Sequence, residues 1–560
     1  MQLPADRRAY TAARAKTDPA ERLAAMRQFV TDFPKSDRVS RTQTAILDLL
    51  IAYFPTRVSE IDAQAKHLVM DSPEGSSRRN QAQIVASKLA TANIDLPLAE
   101  HFAAIGINHT PQAVDAKERI DMYTKAKYPP PAAKELLASY NQDKSEAFSI
   151  QALVFLHEGK LDEARKSADE ALALDPTVDD TNSVRAEIAV KDHDNAKALD
   201  FFERAQIYGA LNSADSAQMH ALYRELHNGS DAGLITDQDA RYEKLFPAPF
   251  TPAAHPAASA SHTVLLELFT GSGCMPCVGG DLAMEGVLSA YPRSEVIALA
   301  FDQHIPLPDP LTNADSVAHG KEYDIAHTPT FSIDGQLLTP GGGDRTDAEH
   351  IYQGVTKALD YALALPAAAQ IQLTADLNSG IVEAHAHLTL PTDDALQKEL
   401  AVPPVAPEKP EADAASKPAP ATTPATPAAT PAAITPALIL NFALVEDEVR
   451  YSGENGIRFH RMVVRALAKP SGEGFPLTPA STASLDASFD LAAITKTNAD
   501  YLAAFARHNE RFENVQFLST DTSINPAKLK VVAWIENTTD HRVLQAAFVS
   551  LNSTTMKEGQ

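Results

Sequence analysis

The sequence predicts a multidomain protein with an all-α helical-repeat region, an α/β domain and an all-β C-terminal sandwich. Three observations support this prediction. Apolar residues recur at helical spacing through residues 1–245, short buried strands and helices alternate in residues 262–366, and polar and apolar residues alternate in residues 368–560. With 560 residues, 44% of them hydrophobic, the chain is long enough to bury several cores.

The helical region, residues 1–245, opens with a clear helix start. Asp18 stands before Pro19, so a capping side chain precedes a proline at the first helical position. Apolar residues then follow at helical spacing as far as Phe33, and Pro34 ends the run. The same kind of spacing continues to residue 245, which predicts one helix after another.

Within this region, residues 145–208 carry the clearest repeat. Small and aromatic residues recur over a period of about 34 residues. The positions are Phe148, Ala152, Phe155, Gly159, Leu161, Ala164, Ala171 and Pro176, and then Ala186, Ala198, Phe202 and Ala205. This pattern resembles the tetratricopeptide repeat. The resemblance implies a stack of helix pairs whose surface binds a peptide or protein, although each single position is explained by packing alone.

A second pattern surrounds the two cysteines of the chain. Residues 263–269 form a short apolar run rich in β-formers, and a Gly-Ser-Gly break separates them from Cys274-Met275-Pro276-Cys277. Apolar residues at helical spacing follow until Pro292. The cysteines therefore lie where a strand meets the start of a helix, and the positive end of the helix dipole lowers a thiol pKa there.

The residues that follow complete an α/β domain. Residues 295–301 read as a second buried strand, and residues 325–338 as a hairpin that turns at Asp334-Gly335. Thr346 and Glu349 have the spacing of a capping box, and a closing helix follows them. Residues 246–261 are rich in proline, which predicts a semi-stiff spacer between this domain and the helical region.

Taken together, this order of elements, the C-x-x-C motif and Thr328-Pro329-Thr330 resemble the thioredoxin-like superfamily over residues 262–366. The run E-L-F-T before the motif resembles a group of poorly characterised exported bacterial members. The resemblance implies a cis bond between Thr328 and Pro329 that packs beside the cysteines. One departure is Gly273, which stands where thioredoxin has a tryptophan that contacts substrates.

The resemblance also implies a function, that of a thiol-disulfide oxidoreductase acting on protein disulfides. Cys274 is then the attacking thiolate and Cys277 the resolving thiol. Thr328 and Pro329 position the substrate peptide. Glu267 takes roughly the place of thioredoxin's buried acid, provided that one residue is inserted before Cys274, and it is the candidate proton acceptor for Cys277. The other interpretation of Glu267 is an ordinary glutamate at the end of a strand.

The redox-active disulfide needs no other cofactor. The Met275-Pro276 pair supplies no positive charge, which favours a reductase or isomerase over a strong oxidant. The alternative function is a protein-interaction scaffold whose disulfide is structural or regulatory. A zinc site would need histidines beside the cysteines, and no metal is predicted because the spacing of the nearby ones matches no zinc pattern. These histidines are His255, His262, His304 and His327.

The C-terminal region, residues 368–560, reads as a β-sandwich. Residues 371–377 and 382–388 alternate between apolar and polar, and further strands are predicted at 438–445, 457–467, 515–518, 529–535 and 543–551. Between them, residues 402–436 consist mainly of Pro, Ala and Thr and are predicted to be a disordered insertion in the sandwich. A boundary linker is the alternative for this stretch.

Net charge and hydropathy exclude some partners and leave the compartment open. With 49 basic and 73 acidic residues the net charge is −24, which argues against nucleic-acid binding. No run approaches the roughly 20 apolar residues of a membrane helix. The first residues lack a signal-peptide pattern, which predicts a cytoplasmic protein, whereas the resemblance to exported proteins implies the periplasm or cell envelope if a signal is missing from this sequence.

Overall fold

The computed structural model describes residues 4–108, 111–125, 130–131, 133–209, 211–256, 262–338, 341–367, 369–405, 437–509, 511–512, 515–517 and 519–551. The chain forms two compact units. One comprises Met1–Leu245 with Phe505–Leu518, and the other comprises Phe246–Ala504 with Ser519–Gln560. Among the described residues, none of the helices has both the length and the apolar run that a bilayer crossing requires.

The first unit contains a long series of helices. They are α1 (Ala5–Arg14), α2 (Pro19–Asp32), α3 (Val39–Tyr53), α4 (Val58–Met70), α5 (Ser76–Thr91), α6 (Leu96–Asn108), α7 (Gln112–Lys125), α8 (Ala133–His157), α9 (Leu161–Leu174), α10 (Asp179–Lys191), α11 (Asn195–Tyr208), α12 (Ser213–Leu226) and α13 (Leu234–Leu245). The predicted start of α2 is confirmed, because the Asp18 side chain accepts a hydrogen bond of 2.8 Å from the backbone N–H of Glu21.

The repeat predicted at residues 145–208 corresponds to two consecutive helix pairs, α8 with α9 and α10 with α11. Ala152 and Ala164 are fully buried in one apolar cluster of these pairs, and Ala186 and Ala198 are fully buried in the next. Small side chains at these positions let neighbouring helices approach closely. The helical-repeat character of this region is therefore confirmed.

A buried polar cluster joins α5, α7 and α8. The Arg79 side chain is 1% exposed, its guanidinium lies 2.8 Å from Asp115, and it also contacts Asp143. Arg119 contacts both carboxylates from the more exposed side. An arginine in this position stabilises the unit only while its carboxylate partners are present, because each charge alone would be costly to bury.

The second unit begins with the elements predicted around the cysteines. They are β1 (Val264–Thr270), α14 (Cys277–Ala290), β2 (Val296–Asp302), α15 (Ala314–Glu322), β3 (Thr330–Ile333), β4 (Gln336–Leu338) and α16 (Ala348–Leu363). Strand β1 pairs in parallel with β2 and antiparallel with β3, and β3 and β4 form the hairpin. Helix α15 has no counterpart among the predicted elements.

In the described part of the chain, the rest of this unit is mostly β-structure and also contains two α-helices and a short 3-10 helix at Pro526–Lys528. Its elements are β5 (Gln370–Asn378), β6 (Ile381–Thr389), α17 (Asp393–Leu400), β7 (Leu438–Arg450), β8 (Phe459–Leu467), β9 (Phe475–Leu477), β10 (Thr482–Asp490), α18 (Leu491–Arg507), β11 (Leu529–Asn537) and β12 (Arg542–Ser550). One sheet has the order β12-β11-β7-β8-β2-β1-β3-β4, with β9 beside β7. A second sheet has the order β10-β6-β5 and packs against the first through a shared apolar cluster.

This topology corrects the predicted division at residues 366–368. Strand β8 pairs in parallel with β2, with Ala300 opposite Val463. The strands of the predicted α/β domain and the C-terminal strands therefore share one sheet. Phe269 and Trp534, from the two sides of the predicted boundary, lie in the same buried cluster. The C-terminal region is therefore neither a separate domain nor all-β, since it also contains α17 and α18.

Three further expectations concern the proline-rich spacer, the predicted insertion and the strand predicted at residues 515–518. The described part of the predicted spacer packs on the second unit, where the Phe250 ring lies 5.0 Å from that of Tyr352 and the His255 ring lies 4.4 Å from that of Tyr291. Most of the predicted insertion, residues 406–436, lies outside the described residues. Residues 515–517, predicted as a strand, form none and belong to the first unit.

Candidate functional site around the Cys274–Cys277 disulfide

The two cysteines form a disulfide at the junction of β1 and α14. Their Cα atoms lie 5.2 Å apart, and Cys277 is the first residue of α14. The turn before the helix is closed by hydrogen bonds of 3.0 Å from the Cys274 N–H to Gly271 and from the Cys277 N–H to the Cys274 carbonyl. The cysteines therefore lie at the strand-to-helix junction, where the sequence predicts them.

Thr328 and Pro329 lie beside the disulfide and are joined by a cis peptide bond. The Thr328 hydroxyl lies 3.3 Å from the sulfur of Cys274 and 2.7 Å from the carbonyl oxygen of Ile305. A hydroxyl has one hydrogen, and the shorter contact identifies the Ile305 carbonyl as its acceptor. A Cβ atom at Gly280, in the first turn of α14, would lie 3.2 Å from the Pro329 ring. The structure thus brings the predicted positioning residues to the cysteines.

Glu267, the predicted proton acceptor, lies on the wrong face of β1 for this role. Leu266 and Leu268 pack with residues of α14, whereas Leu265 and Phe269 pack on the opposite face of the sheet. Successive side chains of a strand alternate between faces, so Glu267 points away from α14. Strand β1 pairs with β2 and β3 without a shift in register, so no bulge turns Glu267 toward Cys277.

The carboxylate of Glu267 has other partners on that face. Its Oε1 lies 2.7 Å from Nε2 of His319, and its Oε2 accepts a hydrogen bond of 2.9 Å from Ser332. Burial alone would lower the pKa of His319, but contact with Glu267 and the nearby charge of Glu536 raise it overall. Glu267 is therefore part of a buried ion pair rather than a partner of the cysteines.

A different acid, Asp281, lies one helical turn after Cys277. Its Oδ1 accepts a hydrogen bond of 2.8 Å from the Thr270 hydroxyl, and its Oδ2 is sealed from solvent with no hydrogen-bond partner among the described residues. Burial, reinforced by the charge of Asp309, raises the pKa of Asp281 to about 7, against the weaker opposing effect of the Thr270 hydrogen bond.

Two more buried acids lie close to Asp281. Asp302 ends β2 directly opposite Thr270, and neither of its oxygens has a hydrogen-bond partner among the described residues. Asp309 accepts hydrogen bonds from the backbone N–H groups of Ser272 and Leu311. Burial raises the pKa of both carboxyls, and the charge of Asp309 raises that of Asp302 further. This end of the sheet is thus able to hold protons near neutral pH.

The predictions from the sequence did not include these acids, although the sequence contains a weak signal for them. Asp281 is the only charged residue in the first turns of an otherwise apolar and glycine-rich helix, and Asp302 directly follows the apolar run of β2. An acid at the end of a buried parallel strand lies where sites of α/β sheets are commonly built.

The four histidines considered for zinc are placed separately. His255 contacts Glu295 at 3.1 Å, and His262 contacts Asp334 at 3.3 Å. The Nδ1 of His304 accepts a hydrogen bond from the Asp309 N–H, and His327 is exposed. In the part of the chain that the structure describes, no three His, Cys, Asp or Glu side chains form a group that could hold a metal ion.

Comparison with known proteins gives the following findings. No protein-family model matches the chain. No curated protein matches it either. Among solved structures, it is similar to a domain of the outer membrane lipoprotein Omp28 from Porphyromonas gingivalis, with 11% identity, 33% of this chain and 89% of that chain covered, and a TM-score of 0.16.

Two further similar structures are PilF from Pseudomonas aeruginosa and the TPR2AB domain of yeast Sti1 in complex with pHSP90. The first has 16% identity, covers 37% of this chain and 92% of that chain, and has a TM-score of 0.17. The second has 15% identity, covers 43% of this chain and 83% of that chain, and has a TM-score of 0.12. At these identities and TM-scores the similarities assign neither a fold nor a function.

Proposed function

We propose that residues 262–366 form a thioredoxin-like domain and that the protein is a thiol-disulfide oxidoreductase acting on protein disulfides. The observation that supports this proposal is the contact of two features. A C-x-x-C disulfide at the start of α14 lies against a cis Thr328–Pro329 bond, with the Thr328 hydroxyl 3.3 Å from the Cys274 sulfur. The strand order β2-β1-β3-β4, in which only β1 and β2 are parallel, also supports it.

The proposed reaction is a two-step thiol-disulfide exchange by the reduced protein. The Cys274 thiolate attacks one sulfur of a substrate disulfide, and the other substrate sulfur leaves as a thiolate. Cys277 then loses its proton and attacks the Cys274 sulfur, which releases the second substrate sulfur and forms the Cys274–Cys277 disulfide. Two electrons pass from the protein to the substrate, whose two thiolates take up protons. A dithiol donor is required to reduce the protein again.

Residues around the disulfide have distinct roles in this proposal. The positive end of the α14 dipole stabilises the Cys274 thiolate. The backbone groups of Thr328, before Pro329, pair with an extended substrate peptide as an added strand would. Asp281, in place of Glu267, is the acid that exchanges a proton with Cys277, because it lies one turn later on the same helix and its pKa of about 7 suits that exchange.

A second function is a protein-interaction scaffold without turnover. A helical-repeat unit and a C-x-x-C disulfide in one chain are compatible with such a scaffold. The oxidoreductase proposal adds catalytic turnover of the disulfide to these two features. One observation specifically favours the scaffold, since both Cys274 and Cys277 are 0% exposed, as a structural disulfide would be. In either case the stacked helix pairs offer a surface for a peptide or protein partner.

Insulin reduction and covalent trapping distinguish the two functions. Purified protein with dithiothreitol should reduce insulin disulfides faster than dithiothreitol alone. A Cys277→Ser variant should accumulate mixed disulfides through Cys274, because the resolving thiol is absent. Cys274→Ser is the matched control and should trap nothing. If the wild-type protein does not accelerate insulin reduction and the Cys277→Ser variant traps nothing, the scaffold is the better description.

A further inference from the structure

The loop between β7 and β8, residues 451–458, reaches from the C-terminal strands to the disulfide. The backbone N–H of Asn455 donates a hydrogen bond of 3.0 Å to the carbonyl of Ser272, two residues before Cys274. The Asn455 side chain donates to Gly271 at 3.4 Å. A Cβ atom at Gly453 would lie 2.5 Å from the Ser272 carbonyl oxygen, so the backbone of the loop lies directly on the turn before Cys274.

One apolar residue anchors this loop. Ile457 is 3% exposed and packs in a small cluster with Val278 and Leu282 of α14 and Ala348 of α16. Within the loop, the Ile457 N–H donates a hydrogen bond of 3.0 Å to the Asn455 side chain, so the anchor and the polar contacts are linked. Ser452 and Arg458 of the loop are also buried, and the Arg458 guanidinium donates a hydrogen bond of 2.9 Å to the Ser452 hydroxyl. Asn455 and Gly453 thus hold the loop on the cysteine turn, and Ile457 is its apolar contact with α14.

Two other segments contact the residues next to the cysteines. Leu307 would lie 3.0 Å from a Cβ atom at Gly273, next to Cys274. The backbone N–H of Gly343 donates a hydrogen bond of 2.8 Å to Pro276. Both cysteines are 0% exposed, although Met275, between them, is 53% exposed. The motif lies at the surface while its reactive atoms do not.

We propose that the 451–458 loop is a lid over the Cys274–Cys277 disulfide, and that its opening controls access of any thiol to the sulfurs. Thiol-disulfide exchange needs an in-line approach of the attacking sulfur, which the covered disulfide does not allow. Asn455 and Gly453 hold the loop on the cysteine turn and Ile457 holds it on α14, and a segment held on its neighbours in this way can open without global unfolding. The lid acts on any attacking thiol, so this proposal does not depend on enzymatic turnover.

The test is the rate at which excess dithiothreitol reduces the disulfide in the full-length protein, followed by counting free thiols. Ile457→Ser removes the anchor and should accelerate reduction at least about tenfold, because lid opening no longer exposes a buried apolar side chain. Asn455→Ala should accelerate it by a smaller factor. Both variants should keep the far-UV circular dichroism spectrum of the wild-type protein.

Ile439→Ser is the matched control, since Ile439 is 5% exposed at the opposite end of β7. It introduces the same change into the same unit without touching the lid and should leave the reduction rate within about twofold of wild type. Equal acceleration by Ile457→Ser and Ile439→Ser would overturn the proposal, because a loss of stability of the whole unit would then explain both rates. A wild-type rate as fast as that of the urea-unfolded protein would also overturn it.

These outcomes are separate from those of the insulin assay. A protein that shows the lid effect but reduces no insulin has a shielded disulfide and supports the scaffold. A protein that reduces insulin without a lid effect keeps the oxidoreductase proposal and loses the lid.

Discussion

The hydroxyl of Thr270 donates a hydrogen bond of 2.8 Å to Oδ1 of Asp281 and so ties the last residue of β1 to the cysteine helix. This contact fixes a carboxyl group in the interior, one turn beyond Cys277. The second oxygen of the same carboxyl is sealed from solvent without a hydrogen-bond partner among the described residues. Ionising Asp281 therefore costs free energy that an exposed carboxyl would not cost.

We expect Asp281→Asn to stabilise the protein at alkaline pH. The folded-state pKa of Asp281 is raised to about 7 from an ordinary value of 3.8. Between these values the unfolded chain releases the proton and the folded protein keeps it, so stability falls as pH rises through this window. Asparagine does not ionise and still accepts the Thr270 hydrogen bond. The gain should be on the order of 2 kcal/mol at pH 8 and near zero at pH 4.

Urea unfolding at pH 4, 6 and 8 measures this difference. Asp486→Asn is the control, because Asp486 is in the same unit and its side chain is 74% exposed. It should not change the pH dependence. A difference between Asp281→Asn and wild type that stays constant across these pH values would contradict the burial of an ionisable group at this position.

Thr328→Val should slow insulin reduction while leaving the fold intact. The substitution keeps the shape of the side chain and removes the hydroxyl that contacts the Cys274 sulfur and donates to Ile305. We expect a loss of about 1 kcal/mol of stability from the hydrogen bond and a several-fold lower rate from the altered surroundings of the sulfur. The rate is measured by mixing the reduced protein with insulin and quenching the reaction at successive times.

Thr263→Val is the matched control for this substitution. The Thr263 hydroxyl also donates to a backbone carbonyl, that of Ser294, but at the other end of β1 from the cysteines. It should cost a similar or smaller amount of stability and leave the rate unchanged. Equal rates in both variants would show that the Thr328 hydroxyl has no effect on the chemistry.

Replacing His319 should remove a pH-dependent part of the stability of the second unit. Burial, the largest single effect, lowers the pKa of His319, but the hydrogen bond and charge of Glu267 together with the charges of Glu536 and Glu322 raise it overall. A raised histidine pKa contributes stability that is complete below the ordinary value of 6.5 and is lost as pH rises through the folded-state value. His319→Gln should therefore cost about 3 kcal/mol at pH 6 and less at pH 9.

Thermal unfolding at the two pH values checks this expectation. His385→Gln is the control, since the His385 side chain is 54% exposed and also contacts a carboxylate. It should change stability by less than about 1 kcal/mol at either pH. A cost for His319→Gln that grows with pH would mean that the histidine is neutral in the folded protein.

In the helical unit, Arg79→Met should be strongly destabilising, by about 3 kcal/mol or more. The substitution removes the buried one of the two arginines that contact Asp115, whose side chain is 1% exposed, and leaves only the more exposed Arg119 beside it. Lys66→Met, in α4, is the control, because it removes an i,i+4 ion pair with Asp62 in which the Lys66 side chain is 56% exposed, and it should cost less than about 1 kcal/mol. Circular dichroism melting of both variants makes the comparison. Similar melting temperatures would show that the buried cluster adds little.

Local patterns predicted the elements that depend on local residues. The start of α2 follows from Asp18 and Pro19, and the position of Cys277 at the start of α14 follows from the break after β1. These features are encoded within a few residues. The placement of Thr328 beside Cys274 was expected from the family resemblance rather than from spacing, because contacts between residues far apart in sequence leave no periodic signal.

The sequence-based prediction was wrong where the structure depends on the face of a strand that one side chain occupies, or on a pairing between distant segments. Glu267 was predicted to serve Cys277, but the unbroken alternation of β1 directs its side chain to the face away from α14. The strand predicted at residues 515–518 is absent from the described residues 515–517, because a short apolar run suits either kind of element. Helix α18 was not predicted at all. The pairing of β2 with β8 could not be predicted from either segment alone.

That pairing has a consequence for how the cysteine motif can be moved. Strand β2 has β1 on one side and β8 on the other, so a fragment cut after residue 366 would leave the outer edge of β2 bare. Bare edges recruit strands from other chains and promote aggregation. A chimera that transplants this motif into another protein should therefore include the C-terminal strands, because those strands cover the edge of β2 that the transplanted segment would otherwise expose.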